Sequence, residues 1–313
     1  MTRHVEHAMG TVFSLDVRAP LAAARTPDQA PARAHTRSDA GRAEQAHGHA
    51  ERAVAEETVA EESVRRAVAE AVAWLHWVDE TFSTYKPGSP VSRLGRGEIG
   101  LADCPPEVTE ILGLCAEAAE ASRGYFTACP GGRLDPSAMV KGWAIERVSR
   151  MLTRAGAVNH CVNGGGDVQL AGAAAPGRPW RVGVADPLRP GRLATVVGPP
   201  SVRPVTAGGR PGLAVAGPAA RFAVATSGTA ERGPHIIDPH TGRPAAELAS
   251  ITLTGENLTM IDAYATAAFA MGRAARKWVE GLDGVEAFAV TASGDTWRTS
   301  GFPGAALPAM NGA

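Results

Sequence analysis

The chain has 313 residues, of which 44% are hydrophobic, enough for a substantial core in one large domain or two closely packed lobes. Its 31 Lys and Arg residues nearly balance 32 Asp and Glu residues, and the net charge of −1 excludes a general electrostatic attraction for nucleic acid or anionic membranes. The chain has no apolar run of membrane-spanning length and no apolar signal core near its start, so we expect no membrane insertion and a cytoplasmic protein.

The N-terminal part combines a strand, a stretch without core-forming residues and a helix. Residues 11–18 alternate between apolar and polar side chains, which predicts a half-buried strand. Between about 19 and 57 the chain is rich in Ala, Arg, His, Glu and Pro, which predicts a disordered insertion in an otherwise single domain over residues 1–313. From about Val59 to Phe82, apolar residues at three- and four-residue steps predict an amphipathic helix.

Two more helices are predicted before the first glycine-rich turn. One covers about Pro106 to Ser122, and the next follows Asp135, which can cap it, and carries Lys141. A cation one turn into a helix lies where the helix dipole disfavours positive charge, and an anionic ligand near Lys141 would offset that cost. Tyr85 lies beside a rigid turn and suits the stacking of a flat ring.

The second half of the chain alternates short strands with turns and ends with a helix and a hairpin. A glycine turn at 164–166 separates two predicted strands, and residues 188–220 are rich in Pro and Gly and predicted to be irregular. The other predicted elements are strands at Trp180–Ala185, Phe222–Ala225 and Ser250–Thr254, a helix at about Asn257–Met271 and a hairpin that includes Ala287–Ala292. This mixture predicts an α+β fold in which helices cover mixed or antiparallel sheets.

The segment from Ala225 to Pro244 reads ATSGTAERGPHIIDPHTGRP. Thr226–Gly228 offers hydroxyls and backbone N–H groups to an anion, and His235 is a titratable group between two turns. A loop that builds a binding site has this composition, and so has a polar hairpin that connects two strands. The residues alone leave both interpretations open.

Asp262 and Thr266 lie four residues apart on the predicted final helix, so their side chains project from one face. A carboxylate and a hydroxyl suit a hard cation such as Mg²⁺. The alternative is an aspartate favoured by the helix dipole and a threonine bonded to its own turn. The four cysteines lack metal-site spacing, and we expect reduced packing residues at Cys104, Cys115, Cys129 and Cys161.

The order of several motifs is more specific than any of them alone. The motifs are MGT, FSTYKPGSPVSRL, DPSAMVKGWAIERV, VNGGGDV, VGVADP, ATSG, HIIDPHTG and IDAYATAAFAMG. In this order they resemble the ApbE family of FAD:protein FMN transferases, over nearly the whole chain except the insertion. The resemblance implies a T-fold-like core, FAD as substrate, Mg²⁺, and an acceptor protein that carries a Ser/Asp-Gly-x-Thr-like sequence.

The resemblance also assigns roles to residues of this chain. Two candidate catalytic residues follow, Asp262 and His235: the resemblance places His235 beside the cofactor, and its role in proton transfer is inferred from the chemistry of the imidazole alone. The implied metal ligands are Asp262, Thr266 and, through its backbone carbonyl, Ala138. The implied FAD contacts are Met9, Tyr85, Phe126, Thr127, Asp135, Lys141, Thr226, Ser227, Gly228, His235, Ile236 and Ile237. The family usually has an aspartate where Thr127 stands, and the stretch from there to Asp135 is shorter here.

In the implied reaction, a threonine hydroxyl of the acceptor attacks the FMN-side phosphorus of FAD, and AMP leaves. His235 or a carboxylate would assist the proton transfer. If water replaces the threonine, the same site is an FAD pyrophosphatase, and a third alternative is a non-catalytic flavin-binding protein. Residues 293–296, SGDT, resemble an acceptor sequence, and a hairpin turn explains them equally.

Overall fold

The structure, a computed structural model, describes residues 1–18, 39–199, 221–230 and 233–304, and of residues 39–57 the backbone alone. The helices in this part of the chain are α1 (Asp39–Phe82), α2 (Pro90–Gly95), α3 (Pro106–Ala121), α4 (Ser137–Arg154), α5 (Leu258–Met271) and α6 (Ala275–Val279). The strands are β1 (Thr2–Ala8), β2 (Thr11–Arg18), β3 (Asn159–Gly164), β4 (Asp167–Ala171), β5 (Val182–Ala185), β6 (Leu193–Val197), β7 (Arg221–Gly228), β8 (Ile237–Asp238), β9 (Arg243–Pro244), β10 (Leu248–Gly255), β11 (Glu286–Thr291) and β12 (Thr296–Arg298).

One eight-stranded sheet organises the molecule, with the strand order β1-β2-β3-β4-β7-β10-β11-β12. Every neighbouring pair in it is antiparallel. Two small hairpins, β5–β6 and β8–β9, stand outside it. The expected α+β fold with antiparallel strands and covering helices is therefore confirmed.

Both faces of the central sheet are buried. In β7, Ala223 and Ala225 pack into the main core with the helices, whereas Phe222 and Val224 pack into a second cluster with Trp180 and the β5–β6 hairpin. Successive side chains of a strand point to opposite faces, so this alternation shows one core above the sheet and another below it. The centre of β7 is therefore small and apolar on its helix face, where α5 packs directly against it.

The sequence prediction and the structure differ most near the N-terminus. Helix α1 begins at Asp39, well before the expected start near Val59, because its first part is rich in Ala, Glu and Arg and has high helix propensity without core residues. Of the predicted insertion at 19–57, residues 19–38 lie outside the described residues. Strand β1 was not predicted, because it is an edge strand with polar side chains on both faces.

Two further expectations concern the middle of the chain. Residues 188–220 were expected to be irregular, but β6 lies among them and pairs with β5; residues 200–220 are outside the described residues. The four cysteines are free thiols, as expected, but Cys129 is exposed, so the expectation that it is a packing residue is wrong. Burial raises the pKa of Cys115 to about 12. Within the described ranges, no helix combines the length and the apolar character needed to cross a membrane.

His160 is a fully buried histidine that joins β3 to α4. Its Nδ1 lies 2.6 Å from the Ala157 carbonyl oxygen, and its Nε2 lies 2.7 Å from the Ser149 hydroxyl oxygen. A carbonyl only accepts, so Nδ1 carries the proton and Nε2 accepts from Ser149. Burial lowers the pKa of His160 from 6.5 to about 4, against the opposing effect of the Ala157 carbonyl, so the folded protein keeps this ring neutral.

We expect His160 to make the fold sensitive to mild acid. The unfolded chain takes up this proton near pH 6.5, whereas the folded chain does so only near pH 4, so stability from this residue is complete above pH 6.5 and is lost as the pH falls to 4. The loss should be on the order of 2–3 kcal/mol. Urea unfolding between pH 7 and 4.5 should show that the unfolding free energy falls less steeply with decreasing pH for His160→Gln than for the wild type. His7→Gln, on an exposed part of β1, is the matched control, and equal slopes for all three proteins would contradict the assignment.

Candidate functional site

Several turns and strand ends meet at one end of the sheet. The β1–β2 turn is Met9–Gly10, and the β3–β4 turn is Gly165–Gly166, whose first residue leaves no room for a Cβ beside the Thr11 hydroxyl. Met9 adopts a φ of +50°, which a methionine rarely does. Such a conformation costs on the order of 1 kcal/mol and often marks a functional position. A two-residue hairpin turn itself favours positive φ at both residues, so the contact of Met9 with flavin remains a prediction.

Two buried carboxylates lie at this end of the sheet and share one lysine. Asp167 begins β4 and is 1% exposed, and Asp262 lies on α5 and is 4% exposed. The Lys141 ammonium from α4 forms an ion pair with Asp167 Oδ2 and lies 3.8 Å from Asp262 Oδ1. The protein itself thus supplies negative charge next to Lys141, and an anionic ligand at this lysine remains a prediction. Two carboxylates with one ammonium leave the cluster with excess negative charge when both are ionised.

The helices α4 and α5 touch at Gly142. Its N–H donates to Asp262 Oδ2 at 3.0 Å, and a Cβ at this position would lie 2.7 Å from the Leu258 carbonyl oxygen and 2.8 Å from Asp262 Cβ. Only glycine allows the two backbones to approach this closely. The contact fixes one oxygen of Asp262 against α4 and leaves the other towards Lys141.

The environment of Asp262 disfavours its charged form. Burial raises the pKa of Asp262 to about 7, and the charge of Asp167 acts in the same direction, whereas Lys141 and the Gly142 N–H oppose the rise. A further positive charge near these oxygens would stabilise the carboxylate. The cluster therefore has the electrostatics of a cation site.

Hydroxyl groups of β7, β10 and α5 lie at the same end of the sheet as the carboxylates. Thr226 Oγ1 lies 2.8 Å from Thr252 Oγ1, and Ser227 Oγ lies 3.5 Å from Thr266 Oγ1. Thr226–Gly228 forms the end of β7 rather than a free turn, and the Thr226 N–H donates to Asp167 Oδ1 at 2.9 Å. The prediction that this N–H is free for an anion is therefore wrong, because Asp167 already accepts from it. The structure brings the Ser227 and Thr266 hydroxyls together on the helix face of the sheet, whereas the Thr226 side chain points to the opposite face.

The predicted loop after β7 contains the small β8–β9 hairpin. Asp238 organises its turn by accepting from the His240 N–H and the Thr241 hydroxyl, both at 2.9 Å. Ile236 packs against the main core, and Ile237 pairs in β8. His235 is exposed, with Nδ1 3.0 Å from the Gly233 carbonyl oxygen, and no hydrogen bond among the described residues joins it to the carboxylate cluster. The hairpin interpretation thus holds for 237–244, and the role of His235 stays a prediction.

The remaining predicted site residues have diverse surroundings. Tyr85 is 94% exposed, so its ring is free to stack, whereas Phe126 is 1% exposed and its side chain belongs to the main core. Thr127 Oγ1 accepts from the Cys129 N–H, and Asp135 Oδ1 accepts from the N–H of Ser137, the first residue of α4. The N-cap position itself is held by Pro136, so Asp135 bonds to the start of the helix from one residue further out. Ala138 is half-buried in the first turn of α4, one turn before Lys141.

Sequence reasoning missed three polar residues on the helix-covered side of the molecule. Asp167 and Gln169 alternate with the apolar Val168 and Leu170 in a strand that is buried throughout. Polar residues at every second position of such a strand are a signal of a buried polar network, and this signal was overlooked. Glu146 follows Lys141 by five residues in an apolar part of α4 and carries a similar signal.

The model of the ApbE family matches residues 127–289, more than half of the chain. The chain belongs to the ApbE family. An FAD:protein FMN transferase from Rhodobacter capsulatus is 36% identical over 146 residues, which cover 44% of this chain and 24% of that protein. One from Escherichia coli K12 is 26% identical over 167 residues, or 53% of this chain and 44% of that protein. The matches thus span less than half the length of these relatives.

Solved structures of ApbE proteins have the same fold as this chain over most of its length. The ApbE protein from Thermotoga maritima has a TM-score of 0.65 at 20% identity, and the match covers 96% of this chain and 97% of that one. The flavin transferase ApbE from Vibrio cholerae has a TM-score of 0.64 at 17% identity, with the same coverage. At such low sequence identities, the structural similarity establishes the fold alone.

We expect Gly142→Ala to damage both the stability and the site of this ApbE family member. The added methyl group would meet backbone and Asp262, so α4 and α5 must separate, at a cost of about 1–3 kcal/mol in unfolding free energy. Urea denaturation measures this loss.

Gly113→Ala in α3 is the matched control, because a Cβ there meets no atom within 4 Å. This variant should gain about 0.5–1 kcal/mol, since alanine is the better helix former. If both alanine variants were stabilised alike, the close contact at Gly142 would be refuted.

Proposed function

We propose that this chain transfers FMN from FAD to a threonine hydroxyl of an acceptor protein, with Mg²⁺ as cofactor and AMP as the leaving group. The observation that carries the proposal is the buried cluster of Asp167, Asp262 and Lys141 beside the hydroxyls of β7 and α5. The matched part of the relatives that bear the name FAD:protein FMN transferase supports the same assignment.

The residues present fit a magnesium ion. A carboxylate and neutral oxygens are the donors that a hard cation prefers, and the excess negative charge of the cluster favours its binding. Asp262, Thr266 and the Ala138 carbonyl would hold it, with Lys141 and Asp167 adjacent. When bound, the ion offsets negative charge on the pyrophosphate of FAD.

The protein itself supplies binding, orientation and charge for FAD. The Lys141 side chain is 30% exposed, so its ammonium can reach a pyrophosphate at the surface while it keeps its ion pair with the buried Asp167. The exposed Tyr85 ring offers an aromatic face to FAD. Met9, held in its unusual conformation at the end of the sheet, would contact the flavin. Phosphoryl-type transfer depends mainly on such positioning and charge stabilisation.

The acceptor hydroxyl must lose its proton as it attacks. Because the Gly233 carbonyl only accepts, His235 Nδ1 carries the proton of the neutral ring, and Nε2 is left as an acceptor. In the proposed step the threonine oxygen bonds to the FMN-side phosphorus, the bond from this phosphorus to the AMP oxygen breaks, and the proton passes to His235 Nε2.

Incubation with FAD, Mg²⁺ and a panel of threonine-containing acceptor peptides should give an FMN adduct by mass spectrometry together with AMP. Asp262→Asn should reduce adduct formation roughly 100-fold or more, because it removes charge from the cation site. Asp103→Asn is the control, since its exposed carboxylate only accepts from the Gly100 N–H. FMN and AMP without an adduct would instead identify a pyrophosphatase, and no turnover with tight flavin binding would identify a binding protein.

His235→Ala should reduce the rate of transfer roughly 100-fold while FAD affinity changes little, because the ring is proposed to move a proton rather than to hold FAD. Single-turnover kinetics and a fluorescence titration with FAD separate the two effects. His240→Ala is the matched control, because its ring lies in the same loop but packs on Tyr125. Undiminished transfer by the His235 variant would remove this residue from the mechanism.

A further inference from the structure

The first two amides of α5 are capped from distant parts of the chain. Asn257 stands before the helix, but its side chain accepts no hydrogen bond from it. The Leu258 N–H donates to Gln169 Oε1 on β4, and the Thr259 N–H donates to Glu146 Oε2 on α4, both at 3.0 Å. The N-terminus of α5 is therefore placed by tertiary contacts rather than by its own cap.

Glu146 makes the stronger of these two caps. It is 2% exposed, and its Oε2 also accepts from the Thr259 hydroxyl at 2.6 Å, while Arg221 from β7 and Arg150 from α4 donate to Oε1. Burial alone would raise the pKa of this carboxyl, but the Thr259 donors and the arginines hold it below its usual value. An ionised carboxylate at a helix N-terminus is favoured by the helix dipole.

Two contacts, one turn apart, join the facing sides of α4 and α5. Gly142 and Glu146 lie four residues apart on α4, and Asp262 and Thr259 lie three residues apart on α5, so each pair shares a helix face. Gly142 bonds Asp262, and Glu146 bonds Thr259. Neither contact can shift along the helices without the other.

We propose that Glu146 is a positioning residue for the candidate cation site: by fixing the start of α5 against α4, it sets where the Asp262 carboxylate stands relative to Lys141 and Ala138. The inference rests on the proposed function for the identity of the cation. Loss of the Glu146 contact frees the first turn of α5, and Asp262 lies in the next turn. Groups that orient a metal ligand typically contribute 10–100-fold to metal affinity.

The test uses the full chain and Mn²⁺ as probe, with its dissociation constant measured by electron paramagnetic resonance with and without FAD, and thermal unfolding followed in parallel. Glu146→Gln should weaken Mn²⁺ binding about tenfold under conditions where the variant is fully folded. Arg150→Gln is the matched control, since it removes an exposed partner of the same carboxylate and leaves both Thr259 donors to Glu146 in place. Its Mn²⁺ affinity should equal that of the wild type.

Thr259 gives a second route if the Glu146 variant does not fold. Thr259→Val loses the hydroxyl that donates to Glu146 and should also weaken Mn²⁺ binding, whereas Thr259→Ser keeps the hydroxyl and should bind as the wild type does. Folded Glu146 or Thr259→Val variants with unchanged Mn²⁺ affinity would overturn the positioning role. If these variants lose affinity but the wild type modifies no acceptor, the positioning role stands and the proposed transferase function fails.

Discussion

The backbone contact between α4 and α5 at Gly142 is the constraint on which the candidate site depends. The two helices carry Lys141 and Asp262, and neither residue would meet the other if a side chain separated the helices. The sheet beneath them adds Asp167 to the same cluster. The site is thus assembled from α4, α5 and β4, and the loops around it contribute exposed groups rather than the framework.

The placement of charge follows from this arrangement. A lysine in the second turn of a helix is unfavourable by itself, but here Asp167 compensates it from the neighbouring strand. When Asp167 and Asp262 are both ionised, the single ammonium of Lys141 can neutralise only one of these two buried carboxylates. The charge of the cluster is therefore a property of the packing as much as of any one residue.

Local patterns predicted much of the fold and part of the site. Apolar residues at helical spacing predicted the C-terminal part of α1, and alternation predicted β2, because burial of one face produces a periodic pattern in the sequence. Helices at α3 and α5 and a shorter strand at β7 were also predicted. Strand β1 has no such periodic pattern of apolar residues, because it is an edge strand with polar side chains on both faces. Asp262 and Thr266 were predicted as a pair because helical spacing fixes their common face, and their binding of a metal stays a prediction. The positions of Asp167 and Glu146 within apolar segments indicate buried polar groups, but their bonding partners are distant in sequence, so the pattern does not predict a contact such as that from Thr259 to Glu146.

The left-handed conformation of Met9 has an evolutionary consequence. Glycine would adopt this turn without strain, so the chain keeps a residue that makes its hairpin less stable than the simplest alternative. Under the proposed function, selection for contact with flavin and selection for a stable hairpin oppose each other at this one position. In members of the family that no longer bind flavin, selection for this methionine would be absent, and glycine or asparagine could replace it at the position of Met9.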